Sequence, residues 1–248
     1  EERARTSALF CGHAVTCIPQ PHQHQPLQAP ATDRKPRSRC LLPQDKKLML
    51  FGSVKITDKR KGIDYLIESC RLLADKHPEL REQLGVVVFG NQSQQLENLL
   101  PFKVYPLNFV SNEHQLVNIY NAVDIFVTPS LEENLPNTIM EAMACGIPCV
   151  GFNVGGIPEM IDHLHNGYVH NQIPEDFANG IYWTLTDPDY SSLSEQACRK
   201  AVTHYSEGTI AKNISTCTTK SPEEMHNHLT PKFSVITVAY NAEAVLED

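Results

Sequence analysis

The sequence has no excess of positive charge and no long apolar run. Its formal net charge is −8 over 248 residues, so it lacks the basic surface that favours binding to nucleic acid. No apolar stretch approaches the ~20 residues that cross a bilayer as a helix. The first ten residues, EERARTSALF, lack the apolar centre of a signal peptide. We therefore expect no nucleic-acid partner and no membrane span.

The eight cysteines form neither a metal-binding nor a disulfide pattern, because none stands in a Cys-x-x-Cys pair. Cys145 and Cys149 lie in apolar segments, where cysteine acts as a small hydrophobic residue. Reduced thiols and a cytoplasmic location are the simplest interpretation, with the inner face of the membrane as an alternative location. The sequence also lacks the GxGxxG, GxxxxGK[ST] and GxSxG motifs.

Composition divides the chain into three parts. Residues 1–46 are rich in Pro, Gln, His and Arg and cannot bury enough apolar surface to offset their ordering entropy, so we expect a poorly ordered linker. Residues 47–219 are expected to fold as one domain. Residues 220–248 are linker-like and end in FSVITVAYNAEAVLED, a single strand pattern without a sheet of its own.

Apolar runs alternate with helical periodicity from residue 47 onward. This alternation predicts an α/β fold built on a doubly wound parallel sheet. Further helices are predicted after the last strand, at the C-terminal end of the domain. Ligands bind such sheets at the carboxyl ends of the strands. The strands are predicted at 48–53, 84–90, 103–107, 123–128, 147–152 and 168–170. The main helices are predicted at 62–77, 93–100, 111–121, 134–146, 155–167, 174–186 and 190–204, and residues 54–62 are predicted to be a loop.

The densest chemical signal is the stretch DIFVTPSLEENLPNTIMEAMACGIPCVGFNVGGIPE. Two carboxylates within it, Glu133 and Glu141, stand eight residues apart on either side of a predicted helix start. Glutamate at a helix start is favoured by the helix dipole alone, so the pair without its context is more often structural. The apolar AMACG that follows Glu141 indicates a packed helix and favours a functional interpretation.

The helix start between the two carboxylates predicts an anion site. Free backbone N–H groups and the positive end of the dipole suit a phosphate or diphosphate there. Pro136, expected in the first turn, has no N–H, so Asn137 and Thr138 would make the contacts. Carboxylates instead accept hydrogen bonds from hydroxyl groups. A phosphate site flanked by two such carboxylates is typical of a site for a nucleotide sugar, which has a diphosphate with a ribose on one side and a hexose on the other.

A basic loop follows the first predicted strand. A cluster of cations at the same edge of the sheet can neutralise a diphosphate and stabilise it as a leaving group, although a solvated loop is the alternative. Gly155 and Gly156, after the fifth strand, either let the backbone approach a ligand or simply form a tight turn. The cations of the loop are Lys55, Lys59, Arg60 and Lys61.

These motifs resemble a known family. FVTPSLEENLPNTIMEAMACGIPCVGFNVGGIPEMI resembles the signature of family 4 retaining glycosyltransferases, which have the GT-B fold: PS, then E-x7-E, then AMA-x-G-x-P, then GG-x-PE. Glu133 and Glu141 match its two glutamates. FGSVKITDKRKGIDYLIE resembles the family's other donor loop, with Lys61 and Gly62 matching its Lys-Gly pair. The resemblance covers roughly residues 41–215.

The resemblance implies a role for each matched residue. The match to Glu133 contacts the transferred sugar near the reacting carbon, which makes Glu133 the catalytic candidate. The match to Glu141 binds the ribose hydroxyls, and the match to Lys61 binds the diphosphate. The predicted donor-binding set further includes Gly52, Ser53, Lys55, Arg60, Val110, Asn134, Leu135, Asn137 and Thr138. The family uses no metal for catalysis, so no metal and no cofactor are expected.

Two positions depart from the family pattern. An arginine normally follows the glycine of the first strand, and this chain has Ser53 there; Lys55 or Arg60 would substitute for it. The first glutamate is usually followed by Gly-Phe-Gly or similar, and here by Asn-Leu-Pro, which leaves the identity of the sugar open. In the family the base rests near the loop after the third strand, here around residues 109–111.

The function implied is that of the donor-binding half of a retaining glycosyltransferase, of the hexosyltransferase type. Such an enzyme moves sugar from a nucleotide diphosphate to a glycan or lipid-linked acceptor, as in polysaccharide biosynthesis. GT-B enzymes place the active site between two domains, so an N-terminal acceptor domain is the expected partner, with residues 1–46 its remnant and linker. The chain alone is therefore expected to be incomplete and inactive.

Three further interpretations belong beside this one. The last ~16 residues resemble the opening strand of family 2 glycosyltransferases, which have the GT-A fold. A nucleotide-sugar epimerase, which shares this type of fold, is the first alternative function. A non-catalytic module that binds nucleotide sugars is the second.

Overall fold

A computed structural model of the chain describes residues 35–107, 110, 112–206 and 209–210. Within these ranges six strands form one sheet: β1 (Lys47–Lys55), β2 (Leu84–Asn91), β3 (Lys103–Leu107), β4 (Ile125–Thr128), β5 (Cys149–Phe152) and β6 (Gly167–His170). The α-helices are α1 (Lys35–Arg39), α2 (Ile63–Lys76), α3 (Leu80–Gln83), α4 (Glu113–Ala122), α5 (Asn137–Ala144), α6 (Ile157–Met160), α7 (Pro174–Thr186) and α8 (Tyr190–Tyr205). Short 3-10 helices span Lys59–Lys61 and Ser93–Asn98.

All neighbouring strands are parallel, in the order β3-β2-β1-β4-β5-β6. The chain builds outward from β1 to β3, then returns to the centre and builds outward from β4 to β6. The point of reversal lies between β1 and β4, which pair through Met49–Ile125 and Leu50–Phe126. In doubly wound sheets the crevice at such a reversal is the usual ligand site. The predicted fold class is confirmed.

The core forms two layers, one on each face of the sheet. Successive residues of β1 alternate between them: Leu48 and Leu50 join one cluster, and Met49 and Phe51 join the other. Buried residues of α4, α5 and α8 cover the first face, and those of α2 and α7 cover the second. Because both faces are covered, the strands read as continuous apolar runs in the sequence.

The structure corrects two predicted boundaries. The loop predicted at 54–62 is partly ordered, because β1 continues to Lys55, whose partner in β2 is Asn91. A 3-10 turn then follows, in which Asp58 caps the helix by accepting a hydrogen bond from the Arg60 amide at 3.0 Å. The helix predicted to end at residue 167 stops at Met160. Beyond it the Asn166 side chain accepts a hydrogen bond from the Asp162 amide at 2.9 Å and organises a turn instead.

Residues 35–46 pack against the domain, although their composition assigns them to the linker. The Arg37 side chain is only 6% exposed and binds Asp124 Oδ2 at 2.7 Å. Its other nitrogens donate to the carbonyls of Ala122 and Lys46, both at 2.8 Å. Asp124 Oδ2 also accepts from the Leu48 amide at 2.6 Å. This Arg37–Asp124 pair joins α1 to the amino ends of β1 and β4.

Some sequence predictions fall outside the described residues. They are most of the expected linker at 1–46 and the family 2-like ending in 220–248. Among the described residues, no helix has both the length and the apolar character that crossing a membrane requires.

Candidate active site

Three loops leave the carboxyl ends of neighbouring strands and meet beside the reversal point. We call them L1 (residues 56–62, after β1), L4 (residues 129–136, after β4) and L5 (residues 153–156, after β5). Because the strands lie in the order β1-β4-β5, L4 lies between the other two. The site is therefore built around L4.

Backbone contacts fasten L1 to L4. The amide of Leu131 donates to the carbonyl of Arg60 at 2.8 Å. Gly62 has a φ of +69°, and a Cβ atom there would lie 1.8 Å from the carbonyl oxygen of Pro129. Glycine alone fits this approach, since it has no Cβ and adopts positive φ without strain. The result is that Lys61 lies beside Glu133.

Lys61 and Glu133 form an ion pair between Nζ and Oε1. The carboxylate oxygen that binds Lys61 also accepts from Ser130 Oγ at 3.1 Å, and Ser130 Oγ lies 3.1 Å from Thr128 Oγ1. The Glu133 side chain is 13% exposed and that of Lys61 is 32% exposed, so solvent can still reach both groups. Lys61, which the sequence assigns to the diphosphate, thus contacts Glu133, which the sequence assigns to the sugar.

Helix α5 begins one residue later than Pro136. Pro136 has an extended ψ of 119°, so it precedes the helix instead of lying in the first turn. Its carbonyl accepts the first helical bonds, from Ile139 at 3.1 Å and Met140 at 3.4 Å. Asn137 and Thr138 precede Ile139 in the helix, so their amides lie at its positive end.

Glu141 is the fifth residue of α5, which places it about one turn into the helix. It shares the solvent side of the helix with Asn137, four residues earlier, while Ile139, Met140 and Ala142 are buried. The amino-terminal part of α5 thus carries both the backbone amides of Asn137 and Thr138 and the second carboxylate.

Tyr120, on α4, donates a hydrogen bond from its hydroxyl to Glu141 Oε2 at 2.8 Å. The tyrosine is 1% exposed. Burial, and then the charge of Glu141, raises the pKa of Tyr120 well above its ordinary value. The hydroxyl therefore remains protonated and acts as a neutral donor to the carboxylate.

The glycine pair of L5 packs against the backbone of L4. Gly155 has a φ of +54°, and a Cβ atom there would lie 1.7 Å from the carbonyl oxygen of Glu133. Gly156 donates its amide to the carbonyl of Asn134 at 2.7 Å. The close approach that these glycines allow is therefore to L4, which is held from both sides.

The surroundings of Ser53, Lys55 and Arg60 differ from those of Lys61. Ser53 is buried and its hydroxyl donates to the carbonyl of Lys55 at 3.1 Å, so it bonds within the end of β1. Lys55 is exposed. Arg60 binds Asp58 at 2.8 Å, and its hydrogen bond holds the pKa of Asp58 below the usual value. The two proposed substitutes for the family arginine are thus both exposed: Lys55 ends β1, and Arg60 lies in L1 and binds Asp58.

The remaining predicted residues are Gly52 in β1, Val110 after β3, and Asn134 and Leu135 on L4. Gly52 faces the ring of Phe89, and a Cβ atom there would lie 2.0 Å from it. Val110 is partly buried against the core, and its neighbours at 109 and 111 lie outside the described residues. On L4, Asn134 is exposed and Leu135 is partly buried.

Sequence reasoning missed two hydroxyl groups that hold the carboxylates, those of Ser130 and Tyr120. Ser130 stands in the quoted PS motif, which was the available signal for it. Tyr120 lies 21 residues before Glu141 on a different helix, and no spacing rule connects them. Across the described residues, no group of three or more His, Cys, Asp or Glu side chains could hold a metal ion.

A family model described as glycosyl transferases group 1 matches residues 35–203 of the chain. The chain belongs to this family. The chain is 33% identical over 175 residues to an uncharacterized glycosyltransferase of Methanocaldococcus jannaschii, a match that covers 68% of the chain and 43% of the relative. It spans about two fifths of the length of the curated relatives it matches. The predicted family is confirmed, and its members are glycosyl transferases.

Solved structures share the fold of the chain. Anabaena HepE, in complex with UDP and glucose, matches with a TM-score of 0.62 at 22% identity, covering 76% of this chain and 52% of that one. The C-terminal domain of a glycosyl transferase group 1 family protein from Francisella tularensis matches with a TM-score of 0.59 at 21% identity, covering 72% and 96%. The fold of the chain is thus that of a C-terminal domain solved for another member of the family.

Proposed function

We propose that this domain binds the nucleotide-sugar donor of a retaining glycosyltransferase in the crevice between L1 and L4. The observation that carries the proposal is the contact between Lys61 and Glu133, made by two loops at the reversal point of the sheet. The contact joins a cation to one carboxylate, and the amino end of α5, with the second carboxylate, follows directly after L4. This is the set of groups that a sugar, a diphosphate and a ribose require together.

The diphosphate is the ligand that this edge suits best. Lys61 and the amides of Asn137 and Thr138 would bind its oxygens, since charge-assisted hydrogen bonds to phosphate are strong. Because Lys61 binds Glu133 in this structure, diphosphate binding would draw the cation away and leave the Glu133 carboxylate to accept from sugar hydroxyls. Glu141 would accept from the ribose. During transfer Lys61 and the helix end would stabilise the departing diphosphate.

The UDP and glucose held by Anabaena HepE support a nucleotide-sugar donor for this fold. In the loop that would contact the donor, Asn134 and Leu135 replace the glycine-rich pattern of the family. We propose that a glycan or lipid-linked acceptor, bound by an N-terminal domain in the cytoplasm, receives the sugar on one of its hydroxyl groups. The bond from the anomeric carbon to the diphosphate is broken, the acceptor oxygen takes its place, and the configuration at that carbon is retained. In this proposal neither a metal nor a cofactor takes part. The domain alone binds donor without transferring it.

Nucleoside diphosphates are expected to raise the thermal unfolding midpoint of the chain. A panel of UDP, GDP and ADP, their sugars and the corresponding monophosphates tests this by thermal shift. A ligand at a hundredfold excess over its Kd stabilises by about 2.7 kcal/mol, or roughly 5–10 °C for a domain of this size. We expect at least one diphosphate to shift the midpoint more than its monophosphate does. A folded chain that responds to none of them at millimolar concentration contradicts the proposal.

The same panel does not distinguish an enzyme from a non-catalytic binding module, so transfer is measured separately. The full protein that contains this chain and its acceptor domain is expected to move labelled sugar from the donor that gives the largest shift. Absence of transfer to any glycan or lipid-linked acceptor would favour the binding module. Family membership already favours a transferase over an epimerase.

The two carboxylates are expected to respond differently to substitution. Glu141→Gln should weaken binding of a nucleoside diphosphate about tenfold, through the lost ribose hydrogen bonds. Glu133→Gln should leave that affinity unchanged or slightly tighter, because Lys61 no longer has a carboxylate partner that competes with the diphosphate. Glu133→Gln should instead remove most of the extra affinity that the attached sugar provides. Isothermal calorimetry with UDP and UDP-glucose measures both effects.

A matched control is Glu195→Gln, on the exposed side of α8, where the carboxylate binds Arg199 at 2.5 Å. This variant should bind both ligands like the parent chain. Equal losses on the nucleoside diphosphate for Glu133→Gln and Glu141→Gln would count against the assigned roles.

A further inference from the structure

The two carboxylates of the site are held by different kinds of partner. Glu133 binds a lysine cation that is 32% exposed and belongs to a loop. Glu141 binds the hydroxyl of Tyr120, at 2.8 Å, from a residue that is 1% exposed and lies within a helix. A lysine can leave its carboxylate for a phosphate, whereas a buried tyrosine cannot follow a ligand.

The ring of Tyr120 is fixed by the core. It belongs to the cluster on one face of the sheet, and it packs edge to face on Phe126 of β4, with ring centroids 6.1 Å apart and planes at 71°. Its hydroxyl therefore occupies one position relative to β4 and α5. The donor is also neutral, since burial keeps the phenol protonated, so it orients the carboxylate without cancelling its charge.

We infer that Tyr120 is a positioning residue for nucleotide binding. Its hydroxyl holds the Glu141 carboxylate in the orientation in which it accepts hydrogen bonds from the ribose hydroxyls. This inference rests on the proposed function, because it assumes that Glu141 contacts the ribose. A carboxylate has about four acceptor positions and Tyr120 occupies one of them. With one oxygen anchored, the carboxylate is oriented before the ligand arrives, and less rotational freedom is lost on binding.

The arrangement has a specific consequence. Tyr120 should not affect ligands that lack the ribose hydroxyls, because it touches the ligand only through Glu141. It should affect the ratio between the affinities of a ribonucleotide and its dideoxy analogue. A tyrosine with a merely structural role would change both affinities together and leave their ratio unaltered.

The test is Tyr120→Phe, which keeps the buried ring and removes only the hydroxyl. The probes are UDP and 2′,3′-dideoxy-UDP, with the GDP and ADP pairs measured in parallel, and Kd values are obtained by calorimetry. In the pair that binds most tightly, we expect the Kd for the ribonucleotide to rise about tenfold. The Kd for the dideoxy analogue should change less than twofold, so the discrimination ratio falls about tenfold.

Two further variants sharpen the test. Glu141→Gln should lower the same ratio, and Tyr120→Phe combined with it should lower the ratio no further, because both act through one carboxylate. Tyr190→Phe is the matched control: its hydroxyl donates to the carbonyl of Asp124 at 2.6 Å, at the opposite edge of the sheet. The control should leave the ratio unchanged.

The outcomes separate the two claims. If Glu141→Gln lowers the ratio and Tyr120→Phe does not, the role of Tyr120 is refuted and the proposed function stands. If Tyr120→Phe weakens both ligands equally, its role is structural and the inference is overturned. If the parent chain binds none of the probes, the proposed function fails and the inference fails with it.

Discussion

Alanine in place of Gly155 is expected to destabilise the domain by about 3 kcal/mol and to remove donor binding. The φ of +54° costs an alanine roughly 1 kcal/mol. The larger part comes from the added Cβ, which would lie 1.7 Å from the carbonyl oxygen of Glu133 and forces L4 to move. Urea denaturation measures the stability, and calorimetry with a nucleoside diphosphate sugar measures the binding.

Gly155→Asn separates the two causes. Asparagine tolerates positive φ better than alanine but carries the same Cβ. If the overlap with Glu133 dominates, as the structure indicates, Gly155→Asn should be nearly as damaging as Gly155→Ala. Recovery of stability and binding by asparagine would show that backbone conformation alone is important at this position, and that L5 does not position L4.

Arg37→Ala is expected to cost about 3–5 kcal/mol of stability while leaving the chemistry of the site intact. The substitution leaves Asp124, whose side chain is 18% exposed, without its cationic partner, and breaking a buried pair in this way is strongly destabilising. It also removes donors from the carbonyls of Ala122 and Lys46. Urea denaturation of the chain, with and without Arg37, measures the change in the free energy of unfolding.

Arg199→Ala is the matched control, because its ion pair with Glu195 has side chains 61% and 68% exposed. Exposed pairs of this kind contribute little, so the control should change stability by less than about 0.5 kcal/mol. A loss for Arg37→Ala no larger than that of the control would mean that residues 35–46 do not belong to the folding unit.

The fold was predictable from the sequence because its strands are buried on both faces. Such strands appear as apolar runs, and β3 and α7 have the predicted bounds, 103–107 and 174–186. The parts that were not predicted depend on partners distant in the chain. β1 extends to Lys55 because it pairs with β2. Residues 35–46 pack on the domain because Arg37 binds Asp124, which lies 87 positions away in the sequence.

The candidate site divides in the same way. The spacing of Glu133 and Glu141 and the basic loop containing Lys61 could be read from the sequence, since each depends on local order. The ion pair joins residues 72 positions apart and the tyrosine contact joins two different helices. Neither was predictable, because both follow from the order of strands in the sheet and from which faces of the helices meet.

The way L4 is held also has an evolutionary consequence. Its backbone is bound through the amide of Leu131 on one side and the carbonyl of Asn134 on the other, and main-chain bonds do not depend on which side chain is present. Exposed positions of L4, such as Glu132 and Asn134, can therefore be substituted without disturbing the loop. Donor preference could change through such substitutions while the two glutamates keep their places, so related enzymes with different sugars could share this frame.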